Sequence, residues 1–181
     1  MEITDLRPRD EAAIAQVAEI VVEAFRGHTP AWPDPAAAVR EVRESFAADR
    51  LSRVASEGER VLGWIGGIRQ YDGNVWELHP LAVEPARQRE GIGGALVADL
   101  EREAARRGAQ TLWLGTDDED GRTSLSDVDL YPDPLAKLAR IENRGGHPYA
   151  FYLACGFVLA GVVPDANGPG KPDILMAKRI G

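Results

Sequence analysis

One segment constrains this chain more than any other: Gln88-Arg89-Glu90-Gly91-Ile92-Gly93-Gly94-Ala95-Leu96. It follows an apolar, strand-like run from Trp76 to Val83 and opens a helix-like run from Ile92 to Arg107. A chain that passes from strand to helix over glycines can bring its backbone close to a ligand, because no Cβ intervenes. The first N–H groups of the helix lack intrahelical partners, and the helix dipole favours negative charge there. The segment therefore reads as a phosphate-binding turn and implies a diphosphate-bearing cofactor. A glycine turn with no ligand would carry the same letters. The dinucleotide fingerprint fails, since its third glycine falls at Leu96, and a Walker A loop fails, since Gly170-Lys171 is followed by Pro172. What remains is Gln/Arg-x-x-Gly-x-Gly/Ala, met by Gln88, Gly91 and Gly93.

The flanking periodicities give the fold class. Glu2 to Arg7 reads as a strand. Ile14, Val17, Val21, Ala24 and Phe25 form a helical stripe after Asp10, and Val39, Val42 and Phe46 form a second one after a Pro-containing loop. Ser52–Ser56 and Val61–Arg69 read as strands joined at Glu57-Gly58-Glu59, and a further strand starts at Val75. Gly108 stops the helix of the glycine turn, and Thr111–Gly115 reads as a buried strand. Some thirty irregular or weakly helical residues follow. His147–Cys155 then reads as a helix stopped by Gly156, and Phe157–Val163 and Ile174–Arg179 as a hairpin. The sum is a mixed α/β sheet in a chain of 181 residues, a length that suits one domain and needs no disulfide or metal staple. The single cysteine, Cys155, permits no intramolecular disulfide and fits a reducing, cytoplasmic setting; it reads as a small core residue. Neither a signal peptide nor a run of about 20 apolar residues is present. A net charge of −8 argues against nucleic acid as the main partner and permits a cationic one.

Most of that charge sits in one stretch. Asp117, Asp118, Glu119, Asp120, Asp127, Asp129 and Asp133 face only Arg122 as a counter-charge within it. Like charges at 4 Å repel by about 1 kcal/mol per pair even in water, so something should balance them. A solvated loop, a calcium site and a trough for a polycationic ligand all fit, although the glycine and glutamate positions of an EF-hand loop are not met. In Val75-Trp76-Glu77-Leu78-His79-Pro80-Leu81, two-residue alternation puts Glu77 and His79 on one strand face. That face is either the polar side of an edge strand or the reacting end of the cofactor site. Pro80 fits an edge, and equally a bulge that would splay the strand from its neighbour. Tyr149 reads as core or rim packing, His147 as a helix-start residue, and neither His28 nor His147 has metal-ligand spacing.

These residues together resemble the GNAT acetyltransferases. Gln88 to Gly94 is similar to their acetyl-coenzyme A pyrophosphate loop, and Phe-Tyr-x-x-x-Gly-Phe around Tyr152 to their second motif. At greater length, "WELHPLAVEP", "LWLGTDDEDGRTSLSDVDLY", "HPYAFYLACGF" and "GVVPDANGPGKPDILMAK" resemble the small chromosomal-type aminoglycoside 6'-N-acetyltransferases over most of residues 60–180. The resemblance implies one GNAT domain over 1–181, with a mixed, mostly antiparallel sheet, a splayed parallel strand pair and flanking helices. It implies acetyl-coenzyme A as cosubstrate, no metal, and a homodimer. Pantetheine and pyrophosphate would lie along Leu81, Ala82, Val83, Gln88, Arg89, Glu90, Gly91, Ile92, Gly93 and Gly94, with Tyr152 at the sulfur. Glu77 would be the base, with His79 second; the Leu81 N–H would polarise the thioester and Tyr152 would protonate the thiolate. The drug would meet Trp32, Asp34, Glu77, His79, Asp117, Asp118, Asp120 and Asp133. The Ala31-Trp32-Pro33-Asp34-Pro35 loop has one acid where relatives often have two. A polyamine, another small amine or a protein amine is the competing acceptor, and a non-catalytic acyl-coenzyme A or aminoglycoside binding module the competing class.

Overall fold

The computed structural model describes residues 1–181. The chain divides into two compact units, Met1–Leu112 with Ile180–Gly181, and Trp113–Arg179.

The first unit carries strands β1 (Glu2–Asp5), β2 (Arg50–Glu57), β3 (Arg60–Gln70) and β4 (Val75–Val83), adjacent in that order and antiparallel throughout. Helices α1 (Glu11–Phe25) and α2 (Pro35–Glu44) lie between β1 and β2 in sequence, and α3 (Ile92–Arg106) follows β4. Asp10 caps α1 by accepting the Ala13 N–H at 3.0 Å, and Asp34 caps α2 by accepting the Ala37 N–H at 2.8 Å. Of the expected stripe of α1, Ile14, Val17 and Val21 are buried and Ala24 and Phe25 partly so; the buried three and Ala18 pack with Ala38 and Val42 of α2 and with Val54, Val61, Trp64 and Ala82 of the sheet. The buried Trp64 indole donates to Ser52 Oγ at 2.9 Å, and Ser45 Oγ lies 2.8 Å from the same oxygen, so this polar trio is satisfied inside the core. Arg53 of β2 ties the sheet to α3 through Asp99 and to β1 through Asp5, each at 2.6 Å.

The second unit holds most of β5 (Thr111–Asp117), α4 (Pro134–Leu138), α5 (Tyr149–Ala154), β6 (Val158–Val163) and β7 (Asp173–Arg179), with β7 between β5 and β6. Its core is built by Leu114, Leu125, Leu130, Leu138, Phe157, Ile174 and Met176. The expected elements are all present, with shifted ends. β1 stops at Asp5 rather than Arg7, and α5 begins at Tyr149, with Pro148 as its N-cap. β5 runs two residues beyond Gly115, which moves Asp117 from the loop onto the end of the strand.

Candidate active site

β4 is the element that aims side chains. Its burial alternates at every residue from Val75 to Val83, so Trp76, Leu78, Pro80 and Ala82 are buried while Glu77, His79, Leu81 and Val83 are half-buried on the other side. The register against β3 breaks midway. Ile65 opposes Leu81 and Gly67 opposes Leu78, so His79 and Pro80 together face the single residue Gly66. This is the bulge that Pro80 suggested. Gly66 makes it possible: a Cβ there would stand 2.1 Å from the His79 carbonyl oxygen. A glycine inside a strand pattern is the sequence signal of such an approach.

Glu77 and His79 have distinct surroundings. Glu77 Oε2 accepts from Gln70 Nε2 at 2.5 Å. His79 Nε2 lies 3.8 Å from Glu41 Oε1 of α2, and its ring stands 6.2 Å from Trp32, which packs on Phe25 at 4.6 Å. Trp32 therefore lies beside His79. Glu41 was missed. Its only sequence signal is an acid beside the buried positions Ala38 and Val42 of an amphipathic helix, and Arg50 Nη1 at 3.9 Å balances its charge. Asp34 is exposed, but one of its oxygens is engaged in capping α2.

The glycine turn is open. Arg89 (φ 65) and Gly91 (φ 85) reverse the chain, and Gly91 is the N-cap of α3 with no side chain capping it. The first intrahelical bond at this end runs from the Ala95 N–H to the Gly91 carbonyl. The amides of Ile92, Gly93 and Gly94 precede it and are left for an external acceptor. A Cβ at Gly91 or at Gly94 would meet nothing within 4 Å. Arg87 pairs with Glu90 at 2.7 Å and Gln88 Nε2 donates to the Val83 carbonyl at 3.3 Å, which braces the turn from behind. Uncapped amides, a fixed reversal and clear space suit a pyrophosphate.

The second unit is arranged differently. Asp118, expected at the substrate surface, has 0% exposure. Its carboxylate accepts from Arg122 N at 2.7 Å, Thr123 N at 2.8 Å and Ser126 Oγ at 2.6 Å. Burial works against its ionisation, but these hydrogen bonds outweigh it and hold the group below its ordinary range. Asp118 is thus a loop scaffold, and its assignment to ammonium binding is corrected. Asp133 caps α4 through Ala136 N, and Asp120 pairs with Arg122 at 2.7 Å, so both are partly engaged. Asp117 is exposed, with Oδ1 accepting from Asn167 Nδ2 at 2.5 Å. Tyr152 is buried on α5, its ring edge-on to Phe151 and Phe157. Desolvation, then the neighbouring Cys155, push its hydroxyl well above the ordinary tyrosine range, so it stays protonated. Tyr149 is packed as expected, and Cys155 is half-buried in the last turn. No group of three or more His, Cys, Asp or Glu side chains is placed to hold a metal ion, and no helix is long and apolar enough to cross a membrane.

The likenesses to known proteins agree with this geometry. Over 100% of its length the chain resembles the crystal structure of an aminoglycoside 6'-N-acetyltransferase complexed with coenzyme A, with a TM-score of 0.92, 39% identity and 98% of that chain covered. The aminoglycoside 6'-N-acetyltransferase from Enterococcus faecium is similar with a TM-score of 0.90, 39% identity and the same coverage. The type Ii aminoglycoside 6'-acetyltransferase follows at 0.76 and 32%, again covering 100% of this chain and 98% of that one. Among curated proteins, a catalase-peroxidase of Bradyrhizobium sp. (strain ORS 278) is 26% identical over 146 residues, and the match spans 77% of this chain but only 18% of that protein's length. Residues 14–125 match the Acetyltransferase (GNAT) family, a span that holds the β4 bulge and the whole glycine turn. The chain belongs to the GNAT acetyltransferase family and has its α/β fold.

Proposed function

We propose that the chain is an aminoglycoside 6'-N-acetyltransferase, transferring acetyl from acetyl-coenzyme A to the 6'-amine of an aminoglycoside. The observation that carries this is full-length likeness, at 39% identity, to a protein of that activity bound to coenzyme A. In this reading residues 1–181 make one catalytic domain, acting in the cytoplasm as a homodimer. Bound acetyl-coenzyme A supplies an activated acyl thioester. The Ile92, Gly93 and Gly94 amides hold the pyrophosphate, with Gln88 to Gly91 shaping the turn. Backbone groups from Leu81 to Val83 pair with the pantetheine arm, and the Leu81 N–H donates to the acyl oxygen as negative charge grows there.

An alkylamine with a pKa near that of lysine, about 10.4, arrives protonated and must lose a proton before it attacks. Glu77 takes that proton, directly or through water; His79 is the second candidate. Tyr152, kept protonated by its burial, gives a proton to the departing thiolate. Trp32 offers a face for a sugar ring. Asp117, with Asp120, Asp34 and Asp133 at their exposed edges, attracts the ammonium groups and raises the on-rate.

The test is thiol release from acetyl-coenzyme A with kanamycin, tobramycin, spermidine and a lysine peptide as parallel acceptors. Turnover is expected with the aminoglycosides alone. Faster turnover with spermidine or the peptide replaces the acceptor, and cofactor binding without thiol from any of the four points to a binding module. Glu77→Gln is expected to lower turnover most near neutral pH and to recover part of it at high pH, where more of the amine is already free base; an unchanged pH profile excludes Glu77 as base.

A further inference from the structure

One residue in the second unit has every polar group engaged and no place in the chemistry just described. His147 is 1% exposed. Its backbone is clamped by Asn143, whose Oδ1 accepts the His147 N–H at 2.9 Å and whose Nδ2 donates to the His147 carbonyl at 2.8 Å. Its ring bridges two segments. Nδ1 lies 3.2 Å from the backbone N of Tyr149, the first residue of α5, and Nε2 lies 3.0 Å from the backbone carbonyl of Asp117 at the end of β5. A backbone N–H can only donate and a carbonyl can only accept, so both contacts are satisfied by one form alone: neutral imidazole with the proton on Nε2. Desolvation, only partly opposed by the Asp117 carbonyl, favours the same neutral form. The two segments joined by this ring carry two proposed functional side chains, the carboxylate of Asp117 and, one helical turn into α5, the phenol of Tyr152.

We infer that His147 is a positioning residue that holds the ammonium-binding end of β5 and the proton-donating helix α5 in register, one nitrogen serving each. The inference rests on the reading of Asp117 as a substrate ligand and of Tyr152 as the acid. Because the two nitrogens have separate duties, they are separable by substitution. In His147→Asn the amide oxygen falls near the place of Nδ1, so the Tyr149 bond persists and the Asp117 bond is lost. In His147→Gln the amide nitrogen falls near the place of Nε2, so the Asp117 bond persists and the Tyr149 bond is lost.

The experiment is steady-state kinetics of the full chain with kanamycin as acceptor, on both variants and on Asp117→Asn and Tyr152→Phe as references. His147→Asn should raise the KM for the amine about five- to tenfold with kcat within about twofold, the mark of lost ground-state binding. His147→Gln should lower kcat about tenfold with little change in KM, because a misplacement of an ångström or less can cost that much. If the two variants change kcat and KM in the same proportion, His147 is merely structural and the inference is overturned. Should Asp117→Asn leave KM unchanged, or Tyr152→Phe leave kcat unchanged, the underlying reading fails first, whatever His147 does. Nitrogen chemical shifts of the histidine ring in the unaltered protein give a check independent of any variant. A neutral Nε2–H tautomer at pH 7 is expected, and an Nδ1–H tautomer or an imidazolium overturns the inference.

Discussion

The glycine turn and the acidic segment solve opposite problems with the same groups. Around Gly91 the chain leaves donors without partners: three backbone amides at the start of α3, no side-chain cap, and open space where two Cβ atoms would stand. From Asp117 to His147 it does the reverse. Asp118 takes three hydrogen bonds, Arg122 is paired with Asp120, and both nitrogens of His147 are engaged. A polar group left unsatisfied at an accessible turn is available to a ligand, whereas a buried one filled by its own chain is scaffold. Charge density alone therefore does not separate a buried carboxylate from one at the surface. The densest run of acids in this protein commits Asp118 to the fold.

The sharpest way to break this contrast is Asp118→Ala. It strands two backbone N–H groups and a hydroxyl in the interior of the loop, and unfolding by denaturant should show a loss of about 3–5 kcal/mol, the usual range for removing one partner from a buried charged network. A loss under about 1 kcal/mol would return Asp118 to the ligand side of the comparison. Gly66→Ala comes next. Its Cβ would meet the His79 carbonyl, so relieving the clash must undo the bulge, at a cost of about 1–3 kcal/mol. Turnover should fall much further than stability does, since Glu77, His79 and Leu81 all depend on that register.

Proton linkage gives a smaller, signed effect. The folded pKa of His147 lies below its ordinary 6.5, so the unfolded chain binds the extra proton first. Its contribution to stability is full above about pH 6.5 and is lost as pH falls through the folded value. Asp118 acts in the same direction further down, losing its contribution below the ordinary 3.8. Melting temperature should therefore fall between pH 7 and 5.5, and His147→Gln should flatten that slope. A slope that survives in the variant assigns it to another group. The smallest expected effect is the most pointed. Gly94→Ala sits in the first turn of α3 with nothing within 4 Å of the new Cβ, and should raise stability by up to about 1 kcal/mol through helix propensity. Coenzyme A affinity, read by calorimetry, should drop at the same time. A variant that is both more stable and equally tight would mean that this glycine is not kept for the ligand.

Much of the fold was legible because it is local. Two-residue alternation placed Glu77 and His79 on one face, the α1 stripe is buried at Ile14, Val17 and Val21 and partly buried at Ala24 and Phe25, and Gly108 and Gly156 end their helices in left-handed conformations. The glycine turn was legible for the same reason: its reversal and free amides are properties of consecutive backbone units. Element ends were less so. Asp117 reads as loop in a window of acids, yet β7 lies beside β5 and the pairing carries the strand two residues further.

By itself the sequence determined the α/β class, the uncapped glycine turn and the family-specific runs, since each depends on neighbours within a few residues. Only the tertiary structure decided which carboxylates are buried and which stay at the surface. It buried Asp118 and left Asp117 at the surface, brought Glu41 within 3.8 Å of His79, set Gly66 against the β4 bulge, and placed His147 between β5 and α5. The physical reason is that a side chain's role follows from whether its polar atoms are desolvated and who satisfies them. Those partners come from segments up to tens of residues away, which no local pattern records.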